Sequence, residues 1–77
     1  MSHPASQHHH FAVKKFELAA HHHAKAAAAA ESGAPETATH HAVLAQFYAG
    51  LAEDHATDAL NAHFQHHEGK QIDAGVA

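Results

Sequence analysis

The stretch AAHHHAKAAAAAESGAPETATHHA, residues 19–42, decides the fold. Alanine, lysine and glutamate are strong helix formers, and the run is interrupted only by Gly33 and Pro35. Glycine is the usual residue just past a helix end, where a left-handed conformation is needed. Proline suits the first turn of the next helix, where its missing N–H costs nothing. Glu36 then places an acid at the positive end of the second helix dipole. A turn of only two or three residues between long helices makes them antiparallel neighbours.

Working outward, Ser2 or His3 precedes Pro4, so the first helix is expected over about residues 4–32, with the turn at 33–34. The second should run over about 35–68, with Gly69 as its stop, followed by a frayed tail over 70–77 that contains Gly75. Gly50 and residues 54–58 offer interruptions; one unbroken helix is expected, with a break near Asp54 and a monomeric three-helix domain as the alternative. No β-branched run supports a strand, so the fold class is all-α.

The 77 residues are expected to form a single helical domain. A chain this short buries only about 60% of the surface it exposes unfolded, so a partner chain or ligand is expected to help. The helices have too many apolar sides for one hairpin. Val13, Phe16, Ala20 and Ala27 share one side of helix one, with Ala12 and Ala19 as the core seam, whereas Phe11 and Leu18 point elsewhere. In helix two, Leu44, Tyr48, Leu51, His55 and Ala62 make one stripe with Phe47 beside it, and Leu60 and Phe64 make a second patch. Two hairpins pairing as a symmetric homodimer, a four-helix bundle, would cover the surplus.

Absent residues exclude several classes. There is no cysteine, hence no disulfide and no thiolate site. The four basic residues are all lysine against eight acids, a net charge of −4, so a nucleic-acid partner is not expected. No run approaches the roughly 20 apolar residues of a membrane span, and the opening Met1-Ser2-His3-Pro4 lacks the pattern of a signal peptide, so the cytoplasm is the expected location. No H-E-x-x-H, phosphate-binding loop, Glu-x-x-His pair or serine framework is present, so no enzyme is expected.

The thirteen histidines are the chemistry left to explain. Neighbouring side chains on a helix fan out by about 100°, so a triplet cannot close on one ion by itself. Ligands must converge from both helices. His63 and His67, at i and i+4 with His66 between them, are the best local pair. With antiparallel neighbours whose residue numbers sum to roughly 67, His8, His9 and His10 lie level with residues 57–60, bracketed by His55 and His63, while His3 approaches His63 and His67. The expected metal ligands at the open end are therefore His63, His67 and His66, supported by His9, His10, His55 or His3. A second zone near the turn gathers His21, His22 and His23 with His40 and His41. His9 and His23 are read as partly buried spacers beside the seam. Glu17 and His21, four apart, read as a surface ion pair.

Imidazole nitrogen suits Zn, Ni or Cu rather than Mg or Ca. Haem between facing imidazoles ranks below a simple divalent metal, and its covalent attachment motif is impossible without cysteine. The same residues support a metal-free alternative, a pH-responsive interaction module, because histidine titrates near 6.5. A third class is a plain helical adaptor that binds another protein through exposed Phe or Leu patches.

The stretch AAHHHAKAAAAAESGAPETATHHAVLA, residues 19–45, resembles a loose family of small, uncharacterised histidine- and alanine-rich bacterial proteins. Its blocks look like residues 19–23, 31–33 and 39–42, and the pair His66 and His67. The resemblance implies a bacterial helical hairpin and no established activity. Phe47, Tyr48, Leu51 and Phe64 depart from the family's pattern and favour a packed bundle over a disordered metal sponge.

Overall fold

A computed structural model describes residues 3–68, with side chains described through residue 66. Helix α1 spans Ser6–Glu31 and helix α2 spans Pro35–Glu68, and the two pack along their length as an antiparallel hairpin. Among the described residues there is no strand. No described helix is long and apolar enough to cross a membrane. The tail expected to fray, 70–77, lies outside the described residues.

The turn is closed by backbone hydrogen bonds alone. Gly33 has φ +80°, the Gly33 N–H donates to the Ala30 carbonyl at 3.2 Å, and the Ala34 N–H donates to the Ala29 carbonyl at 2.8 Å. These are the two bonds of a Schellman ending, which satisfies carbonyls that a helix terminus otherwise leaves orphaned. The Ala34 carbonyl then accepts from the Ala38 N–H at 2.9 Å, opening α2 without a gap. One residue serves both helices.

Helix α1 starts two residues later than the sequence suggests. The His3 carbonyl accepts from Ser6 N–H and the His3 Nδ1 from Ala5 N–H, each at 2.9 Å, which holds Pro4 and Ala5 in a turn. Neither Gly50 nor residues 54–58 break α2. Glycine in a helix interior costs only about 1 kcal/mol relative to alanine, which the surrounding helix formers absorb.

Among the described residues the buried ones are all alanine: Ala5 in the turn before α1, Ala12, Ala19 and Ala29 on α1, and Ala45, Ala52 and Ala59 on α2. Ala5, Ala12 and Ala19 are spaced by seven, as are Ala45, Ala52 and Ala59, so each helix offers a straight seam of methyl groups. A strict seven-residue repeat keeps such a seam facing its partner when the helices supercoil left-handed. Seven buried methyls at about 0.8 kcal/mol each supply only about 6 kcal/mol. A buried leucine or phenylalanine would contribute two to three times as much per position.

The expected Ala12 and Ala19 seam is therefore present, but the large apolar residues placed near it are not inside. Phe16 is 46% exposed and Val13, Phe47, Leu60 and Phe64 are more so, while His9 and His23 are exposed rather than partly buried. Alanine wins the interface because a small side chain lets two backbones approach closely. The bulkier neighbours are left flanking it. On α2 the stripe Leu44, Tyr48, Leu51, His55 and Ala62 is half-buried throughout.

Candidate metal centre

Three donors meet near the open end. His8 from α1 and His55 and Asp58 from α2 each offer a ligand atom, and the three atoms lie within 4.8 Å of one another. His55 and Asp58 stand three residues apart, one helical turn, and so share a side of α2. His8 belongs to the row that follows the alanine seam at +3, where Lys15 and His22 also lie half-buried against α2. The Phe11 ring packs on the His55 ring at 5.2 Å and holds it from one side.

The Nδ1 atoms of His8 and His55 are buried and have no hydrogen-bond partner. A buried polar atom left unsatisfied costs about 1–3 kcal/mol. Asp58 is exposed, so its carboxylate borders solvent beside the two half-buried imidazoles. Two nitrogens and one carboxylate oxygen form a donor set compatible with a divalent transition metal ion.

The other open-end histidines form a separate cluster. His9 Nε2 and His63 Nε2 share a hydrogen bond of 3.0 Å, the donor depending on which tautomer each ring adopts. The His3 ring lies 4.5 Å from those of His63 and His66. Thus His3, His9, His63 and His66 are brought together as the sequence suggested, while His10 is exposed and His55 belongs to the three-donor group. The side chain of His67 lies outside the described ones. Histidine spacing alone missed His8 as a candidate ligand and missed Asp58 entirely. The signal available was a carboxylate one turn after His55, level with the first histidine triplet.

At the turn end, His22 Nδ1 and His41 Nδ1 are 3.0 Å apart with their rings stacked at 5.2 Å. Tyr48 also stacks with His22 at 5.6 Å, and Lys15 Nζ stands 5.9 Å from the Tyr48 ring centre. Desolvation pushes both imidazoles below the ordinary histidine pKa; His21 and then His41 add to this for His22, and His40 and then Lys25 for His41. His21 and His40 sit edge-on to these rings, and His23 is exposed. Glu17 and His21 are both exposed, and no ion pair joins them in the described structure. Four residues of separation permit such a pair without enforcing it, because water solvates both groups.

No family model, curated protein or solved structure matches this chain.

Proposed function

We propose that this hairpin reversibly binds a divalent transition metal ion, zinc, nickel or copper, through His8, His55 and Asp58. The role is buffering, storage or sensing in the cytoplasm rather than catalysis. The observation that carries this reading is the convergence of three ligand atoms within 4.8 Å while two imidazole nitrogens in the group have no partner. A metal ion would satisfy what the fold leaves unsatisfied. Each ligand must be deprotonated to bind, so uptake should release protons and weaken as pH falls below the histidine range. The His3, His9, His63 and His66 cluster stands beside this site as a reserve of imidazoles.

The test is calorimetric titration of Zn, Ni and Cu into untagged protein purified without metal-affinity resin. A saturable site of integral stoichiometry, tighter than about micromolar, is expected. It should be lost in His8→Ala and in Asp58→Asn, and kept in His63→Ala. Weak, graded uptake that ignores His8 and Asp58 would overturn the reading.

The His22 and His41 contact favours a second reading, a pH-responsive element at the turn. A hydrogen bond between two ring nitrogens needs one of them unprotonated, so charging both rings breaks it.

A further inference from the structure

The two broad faces of the hairpin are unequal. One is framed by two pairs of large apolar residues spaced by seven, Phe11 and Leu18 on α1 and Leu44 and Leu51 on α2. Tyr48 stands between them. Both pairs sit at the position just before the buried alanines, Ala12, Ala19, Ala45 and Ala52, and in an antiparallel pair that position falls on the same face from both helices. The ring contact of Phe11 with His55, and that of His22 with Tyr48, confirm that this face is shared by α1 and α2.

The alanine seam leaves this face uncovered. Phe11 is 39% exposed and Leu18 36%, and Leu44 and Leu51 are only half-buried. A hairpin is one layer of helices, whereas a stable hydrophobic core lies between two.

Which partner fits follows from the spacing. A surface whose knobs recur every seven residues on two antiparallel helices fits another helical surface with the same repeat. A second copy of this chain presents that repeat. Charge agrees: by the same seven-residue bookkeeping Asp58 is the described acid on this face, with Lys15 and Lys25 as its cations, while Glu17, Glu31 and Asp54 fall on outward positions. Two copies therefore meet without opposing the acidic excess of the chain.

We infer that this face docks a second copy of the chain, making a four-helix bundle whose inner layer is Phe11, Leu18, Leu44 and Leu51 from each hairpin. The inference does not depend on metal.

Sedimentation equilibrium in chelator-containing buffer tests it directly. The expected mass is twice the 8.2 kDa of one chain. Leu18→Ala and Leu51→Ala preserve helix propensity and should each weaken the dimer by about tenfold or more. Val13→Ala and Phe47→Ala, on other faces, should leave it unchanged. A single-chain mass at about 100 µM, far above the dissociation constants of stable dimers, would overturn the inference. So would a dimer weakened by Val13→Ala or Phe47→Ala but indifferent to Leu18 and Leu51.

Discussion

The open end and the turn end of the hairpin are both rich in histidine, yet the rings face different company. At the turn, His22 and His41 satisfy one another at 3.0 Å, and the nearby charge is the cation Lys25. At the open end, His8 and His55 each keep a buried nitrogen without a partner, and the nearby charge is the carboxylate of Asp58. The number of imidazoles does not distinguish the two places. What distinguishes them is whether another imidazole or a carboxylate completes the group: the open-end donors could hold a metal ion, whereas the turn-end rings hold one another.

The largest effect that would break this comparison is on metal affinity. Outer-shell changes at metal sites already cost about 10–100-fold, so His55→Ala should weaken zinc binding by about 100-fold or more in calorimetry. His22→Ala with His41→Ala should change it by less than about threefold on the same basis. The reverse ranking would move the centre to the turn.

Next in size is the seam. Ala52→Leu inserts bulk close to His55, and Ala45→Leu does so nearer the turn. Overpacking of this kind costs about 1–3 kcal/mol, so both should lower the thermal midpoint similarly. Only Ala52→Leu should also weaken zinc binding, by prising His8 from His55. Equal zinc affinities in the two variants would show that the ends are not independently held.

A smaller loss is expected at Gly33. Its φ of +80° strains any side chain, although a methyl group there would meet nothing within 4 Å. Gly33→Ala should therefore cost about 1–2 kcal/mol through backbone strain alone. Chemical denaturation measures that loss, and zinc affinity at the far end should stay unchanged.

The smallest effect is the proton response. His22 and His41 have pKa values lowered by folding, so below about 6.5 the unfolded chain binds protons more readily than the folded one. Their contribution to stability is present above pH 6.5 and is lost as pH falls through the lowered folded values. In metal-free buffer the melting temperature should drop between about pH 7.5 and 5.5. Replacing both rings with glutamine should flatten that drop.

Much of the fold could be read from the chain because its determinants are local. Gly33 and Pro35 mark a stop and a start, and alanine and lysine fill the space between. Which apolar residues go inside was harder. Phe16 sits four residues past Ala12 and shares its general side of α1, so the choice between them depends on how closely the second helix approaches, which only the pair of helices can decide. The candidate centre was half legible for a related reason. His55 is legible as a histidine near the open end, but histidine spacing carries no signal for Asp58, a carboxylate one helical turn further on. His8 joined them through the register of the two helices.

That register has a consequence of its own. Alanines recurring every seven residues on both helices make the seam nearly periodic, and sliding one helix by a heptad, about 10 Å, would restore most of its methyl packing. The closed turn from Glu31 to Pro35 is too short to permit the slide. It acts as a ruler: the interface would accept several alignments, and the turn selects the one that sets His8 against Asp58.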